Sequence, residues 1–195
     1  MVEQHIIPDI TAAVLIGGKS RRFGRDKVVE PLDGVMLVER VISVLKPLFS
    51  EIALIGHVRH EISGYKTIPD IIPGCGPLGG IYTALTSSKN PYCFIFAADM
   101  PNLNTGLIRY MAGLKEKADI IIPQVPKGLE PLHAIYSKTA IPVIKDLLAK
   151  KDFKILNLIE QMKTEYIGYQ TIENFGEPLR IFSNINSLSD IDVFS

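Results

Sequence analysis

Short, wholly apolar runs alternate along this chain with segments of helical period, and that alternation restricts the fold more than any other feature of its 195 residues. "AAVLI" (Ala12 to Ile16), "EIALIG", "YCFIFAADMP" and "DIIIPQV" are apolar on both parities, so each reads as a strand covered on both faces. Between them, Leu37, Val41, Val44, Leu45 and Leu48 repeat along one helix face. "GPLGGIYTALTSSK" reads as a helix entered through glycines, and "NTGLIRYMAGLKEK" as an amphipathic helix capped by Asn104. "YKTIPD" predicts a short strand and "EPLHAIYS" another, with helices inside "TAIPVIKDLLAKK" and "ILNLIEQM". "IENFGEP" is expected to be a loop before a last short strand, "RIFSN". Strands alternating with helices predict an α/β, mainly parallel, doubly wound sheet. No linker divides residues 1–195, so one domain is expected. Ligands of such sheets gather at the C-terminal ends of the strands.

The first strand opens into "VLIGGKSRRFGRDK" (Val14 to Lys27), where Lys19, Arg21, Arg22, Arg25 and Lys27 crowd a segment with little to bury. A Walker A loop ending in Gly18-Lys19-Ser20 needs a glycine where Ala13 stands, and a G-x-G-x-x-G fingerprint needs glycines at Lys19 and Arg22. Neither fits. What remains is G-G-x-S-x-R-x-G-x-D-K: the backbone of Gly17 and Gly18 cradles phosphate oxygens while Arg22 and Lys27 neutralise them. A solvated basic turn is the alternative. Formal net charge is zero, from 21 Lys+Arg and 21 Asp+Glu, so the cations are a local concentration suited to a small anion rather than nucleic acid. Asp99 ends the most apolar strand, where it serves either as a helix cap for the adjoining segment or as a metal carboxylate. Mg²⁺ prefers one or two carboxylates plus substrate phosphates, which an Asp99 facing the glycine loop would supply. Asp70, closing "TIPD", is a third strand-end candidate.

With "LIGGKSRRFGRDK", "IPD" at Asp70, "GPLGGI", "DMP" at Asp99, "EPLHAIY" and "FSNINSLSDI" in this order, the chain resembles the molybdenum cofactor guanylyltransferase family from Leu15 to Ile191. The resemblance implies a Rossmann-like fold of the nucleotide-diphospho-sugar transferase type. It implies GMP transfer from GTP to molybdopterin with Mg²⁺, and exchange with molybdenum-cofactor-handling proteins. It implies that Leu15, Ile16, Gly17 and Gly18 contact the nucleotide, that Lys27 meets its phosphates, and that Asp70 binds near the base. Arg22, Lys27 and Asp99 would carry catalysis, Asp99 holding the metal, with Asn184 and Asn186 on the metal or pterin side. Ile16 replaces the family's usual alanine, and Gly56 stands where an asparagine is common, so a contact there is lost or taken over by His57. An anionic phosphate acceptor needs no general base. Rival expectations are CMP transfer to a pterin, nucleotide transfer to a sugar phosphate, or nucleotide binding without turnover.

The remaining conspicuous residues read as structural. His133 is a packed core histidine or a pterin-side group; His57 and His60 lack metal-ligand partners, and His5 is in a tail. Cys93, Tyr82 and Tyr136 read as packing residues, and Cys75 has no base partner. Two cysteines without knuckle spacing, no signal-like start and no membrane-length apolar run lead to a cytoplasmic expectation.

Overall fold

Strand β1 (Ile10–Leu15) lies in the interior of the sheet, every residue of it buried. Its even positions and Ile16 join one apolar layer, while Ala13 and Leu15 join the other, as the two-residue period of a strand requires. The computed structural model describes residues 5–17, 31–32, 34–58, 62 and 64–184. Beside β1 runs β4 (Ile52–Ile55), and outside it β5 (Lys66–Ile68), all parallel. On the other side comes β6 (Tyr92–Ala97), also parallel to β1. Next is β9 (His133–Ser137), antiparallel to both β6 and β7 (Ile120–Val125). The last strand, β10 (Thr164–Gly168), pairs parallel with β7. The sheet order is β5-β4-β1-β6-β9-β7-β10, with β8 (Gly128–Leu129) hairpinned onto β7. A separate ribbon pairs β2 (Pro31–Leu32) with β3 (Val35–Met36).

Helices cover both faces. Buried side chains of α1 (Leu37–Leu45), α3 (Thr105–Ala112), α6 (Tyr169–Glu173) and α7 (Pro178–Ile181) meet Phe94 and Phe96 on one side. Those of α2 (Gly76–Ser87), α4 (Ile141–Ala149) and α5 (Ile155–Gln161) meet Ile95, Ile120 and Ile122 on the other. This is the doubly wound, mainly parallel sheet predicted. Asn104 caps α3 as expected, its side chain accepting from the Leu107 N–H at 2.9 Å. Cys93 and Tyr136 are buried core, Tyr136 donating to the Pro131 carbonyl at 2.9 Å. Among the described residues no helix is long and apolar enough to cross a membrane.

The C-terminal expectation fails. "RIFSN" is not a strand: Pro178 opens the short helix α7, for which its fixed φ and missing N–H are suited. Part of the expected loop "IENFGEP" belongs to α6, and the last strand of the sheet is β10 upstream, at "TEYIG". Only Ile167 of β10 is buried, so this edge strand carries little apolar signal.

Candidate functional site

After β1 the chain moves outward through β4 to β5, then returns to β6 on the opposite side of β1. That reversal opens a crevice at the C-terminal ends of β1 and β6. Hydrogen bonds stitch its floor. Ala98 N–H donates to the Leu15 carbonyl (3.3 Å), Ile16 N–H to the Ile55 carbonyl (2.9 Å) and Gly56 N–H to the Ile68 carbonyl (2.9 Å). Ile16 is fully buried, so only its backbone can meet a ligand.

Gly56 explains itself here. Its φ is +135°, and a Cβ on it would stand 2.7 Å from the Gly17 nitrogen and 3.0 Å from the Gly17 Cα. The residue departing from the family pattern is thus the one that lets the ends of β1 and β4 close on each other. On the same side, the Asp70 carboxylate lies 3.8 Å from where a Cβ on Gly17 would be, so it stands at contact distance from the Gly17 position. Burial pushes the Asp70 carboxyl up from its ordinary range, opposed by the nearby His57. The structure therefore brings Leu15, Ile16, Gly17 and Asp70 together, with His57 beside them. Gly18, Arg22, Lys27 and Asn186 lie outside the described residues.

Asp99 sits in the turn after β6, where the Met100 N–H donates to the Ala97 carbonyl at 3.4 Å. Because Asn104 caps α3, the reading of Asp99 as that helix's cap falls away. Asn102 donates to the Ser183 hydroxyl at 3.0 Å, which tethers the residue before Asn184 to the loop after Asp99. Asn184 is thereby held to the same end of the sheet. Antiparallel β9 begins where β6 ends: Phe96 faces His133, and the Ala97 N–H donates to the Leu132 carbonyl at 3.0 Å. The turn from Glu130 to Leu132, outside the sequence-derived site residues, consequently borders the crevice. Its only sequence signal was the motif "EPLHAIY".

His133 itself does not face a ligand. It is fully buried among the rings of Phe94, Phe96 and Phe182, at centroid distances of 5.3, 5.4 and 5.3 Å. Of its two sequence readings, the packed core histidine is the one observed. Among the described residues no three His, Cys, Asp or Glu side chains gather as a ready metal cage. Asp99, a strand-end carboxylate in the turn after β6 beside β1, is the kind of donor a divalent cation combines with phosphate and water oxygens.

The MobA-like NTP transferase domain model matches residues 12–165. A probable molybdenum cofactor guanylyltransferase of Pelotomaculum thermopropionicum is 32% identical over 183 residues, covering 93% of this chain and 89% of that protein. Its counterpart in Natranaerobius thermophilus is 33% identical over 192 residues, covering 94% of each. Among solved structures, molybdopterin-guanine dinucleotide biosynthesis protein A from Archaeoglobus fulgidus superposes with a TM-score of 0.80 at 27% identity, over 94% of this chain and 95% of the other. The 2-C-methyl-D-erythritol 4-phosphate cytidylyltransferase of Thermus thermophilus shares the fold, with a TM-score of 0.65 at 12% identity over 93% and 95% of the two chains.

Proposed function

The chain belongs to the MobA-like NTP transferase family, and on that premise we propose that it is a guanylyltransferase acting in molybdenum cofactor biosynthesis, moving GMP from GTP to molybdopterin. The observation that carries this reading is the Asp70 carboxylate set against Gly17 at one side of the switch-point crevice, with Asp99 one strand across. A carboxylate there suits guanine, whose N1–H and exocyclic amine are adjacent donors. The backbone at Leu15, Ile16 and Gly17 would bear on the nucleotide. Since the Ile16 N–H is already engaged by Ile55, the donor offered to the nucleotide from this strand end would be the Gly17 N–H.

In the reaction, an oxygen of the acceptor's phosphate bonds to the α-phosphorus of GTP. The bond from that phosphorus to the α–β bridging oxygen breaks, and pyrophosphate leaves with the electron pair. The acceptor is already anionic near neutral pH, so no side chain has to remove a proton. The chain's task is to hold two anions in line and offset their repulsion. Arg22 and Lys27 are assigned to the triphosphate, and Asp99 would hold Mg²⁺, with Asn184 and Asn186 on the metal or pterin side. Bound there, the metal supplies charge neutralisation to the phosphates. Molybdenum-cofactor-handling proteins are the natural partners of such an enzyme, and the cytoplasm its natural compartment.

A thermal-shift series of GTP, CTP, ATP and UTP with Mg²⁺ tests the assignment. GTP is expected to stabilise most, by about 2.7 kcal/mol at a hundredfold excess over Kd. Equal shifts for all four would remove the guanine assignment and leave the fold intact. Asp99→Asn is expected to depress pyrophosphate release far more than metal-free GTP binding and to raise the Mg²⁺ requirement. Lys27→Ala is expected to weaken both binding and turnover.

A further inference from the structure

We propose that Glu130 is the recognition residue for the acceptor's pterin ring, its carboxylate accepting from the ring's lactam N–H and 2-amino group. This rests on the proposed transfer to a pterin. The pyrimidinone ring of a pterin carries the same adjacent donor pair as guanine, so an enzyme joining the two needs two acceptor groups of one kind, at opposite ends of one crevice. Asp70 comes just after β5 and Glu130 shortly before β9, with the ends of β4, β1 and β6 between them. Four interstrand steps of about 4.8 Å separate those strands, roughly 19 Å in all. The phosphate-loop strand β1 and the Asp99 strand β6 fall in the middle, where the two substrates must meet.

The turn that carries Glu130 is held before any ligand arrives. The Glu130 N–H donates to the Pro123 carbonyl (3.0 Å), the His133 N–H to the Glu130 carbonyl (3.0 Å), and the Ala97 N–H to the Leu132 carbonyl (3.0 Å). The Tyr136 hydroxyl donates to the Pro131 carbonyl at 2.9 Å. A group fixed in this way loses little freedom on binding. Its carboxylate is meanwhile unfulfilled. Glu130 is half-buried, and among the described residues no hydrogen bond or ion pair reaches its side chain. Burial pushes its carboxyl up, opposed by the charge of Lys127. Among the described residues Asp70 and Glu130 are the two carboxylates displaced upward in this way, one at each end of the crevice.

The experiment is steady-state GMP transfer to molybdopterin by wild type, Glu130→Gln and Glu130→Asp. Titrations of GTP and Mg²⁺ accompany it, as does inhibition by 6-hydroxymethylpterin and by its lumazine analogue, in which a carbonyl replaces the 2-amino group. Glu130→Gln keeps the side-chain volume but turns one acceptor into a donor. It is expected to raise KM for molybdopterin about tenfold, the effect of one mismatched buried hydrogen bond. The kcat at saturating acceptor, the GTP Kd and the Mg²⁺ requirement are expected to hold. Wild type is expected to bind the pterin inhibitor in preference to the lumazine, and Glu130→Gln to lose that preference. Glu130→Asp, which retracts the charge by one methylene, is expected to raise the acceptor KM without moving the GTP Kd. An unchanged acceptor KM and pterin preference in both variants would overturn the assignment. So would a parallel change in GTP affinity or Mg²⁺ requirement, which would place Glu130 with the nucleotide or the metal. If wild type transfers GMP to no pterin acceptor, the function proposed above falls and this assignment with it. Transfer by wild type with indifferent variants removes this assignment alone.

Discussion

His133 and Asp70 are both displaced by burial from their ordinary titration, with opposite consequences. Enclosed by Phe94, Phe96 and Phe182, the His133 imidazole is pushed down from 6.5 to about 3. Between those values the unfolded chain binds a proton that the folded chain refuses, so stability rises with pH across that window. The slope is at most about 1.4 kcal/mol per pH unit. His133→Leu is expected to flatten that slope. It should also stabilise the protein at neutral pH by about 1–3 kcal/mol, because neither ring nitrogen has a hydrogen-bond partner among the described residues. Urea unfolding of both proteins from pH 4.5 to 7.5 checks this. Asp70 works the other way. Its carboxyl is raised, so the folded state takes a proton more readily than the unfolded chain, and the ionised side chain weakens the fold slightly as pH rises above the unfolded value of 3.8. Asp70→Asn is therefore expected to leave the neutral-pH melting temperature intact. The preference for GTP over ATP should fall by roughly 1–3 kcal/mol, since an amide offers guanine one acceptor and one mismatched donor. Calorimetric titration of both nucleotides reads this directly.

Helix α2 packs closely against β1 and against the loop that leads into it. A Cβ on Gly80 would meet Leu15 side-chain atoms at 3.1 and 3.2 Å, whereas one on Gly79 would stand 2.8 Å from the Cys75 Cβ and 3.3 Å from the Ile72 carbonyl oxygen. Leu15 can give by rotating; the Cys75 Cβ is fixed to the backbone of the loop beyond Asp70. Thr83 ties that loop to the helix, accepting from the Ile71 N–H at 3.0 Å and donating to the Gly79 carbonyl at 2.9 Å. Alanine gains up to about 1 kcal/mol over glycine in helix propensity. Gly80→Ala is thus expected to be near neutral in thermal melts. Gly79→Ala should be destabilising by about 1–3 kcal/mol, as overpacking against backbone usually is, and should weaken GTP binding through Asp70. At α3 the cap has a second duty: Asn104 also donates to the Phe175 carbonyl at 2.6 Å, joining the helix start to the chain beyond α6. Asn104→Ala is expected to cost about 2 kcal/mol, from a lost cap and a lost buried bond. Hydrogen exchange should speed up in both α3 and residues 169–184.

For the molecule as a whole, the segment beyond β10 is part of the core rather than an appendage. Ile172, Ile181 and Phe182 are buried in the layer that holds Phe94 and Phe96, although the family domain match ends at residue 165. Burying each such side chain is worth about 1.5–3 kcal/mol, an upper estimate when summed. Loss of the three approaches the whole stability of an ordinary domain, about 5–15 kcal/mol. A chain ended after Gly168 is expected to lose its cooperative melt and to expose the His133 aromatic cluster. An unchanged melting transition would show that the sheet and α1–α5 suffice.

The alternation of doubly apolar strands with helical segments was enough to specify the layered sheet and the strand ends from which Gly17, Asp70 and Asp99 project. The strands that end at Gly17 and Asp99 bury both faces, so local composition and global placement demand the same residues. Strand β5, before Asp70, buries none of its three residues and was legible only as a short run closed by a turn. The C-terminal elements were illegible for the converse reason. "TEYIG" buries one side chain at a sheet edge, and "PLRIF" is short enough for its apolar residues to suit either period until Pro178 opens a turn of helix. Gly56 against Gly17, Leu132 on Ala97, and Ser183 on Asn102 join residues far apart in the chain. Local pattern reports what each residue prefers to be near. The order in which strands enter the sheet decides which strand ends become neighbours, and only the folded chain contains that order.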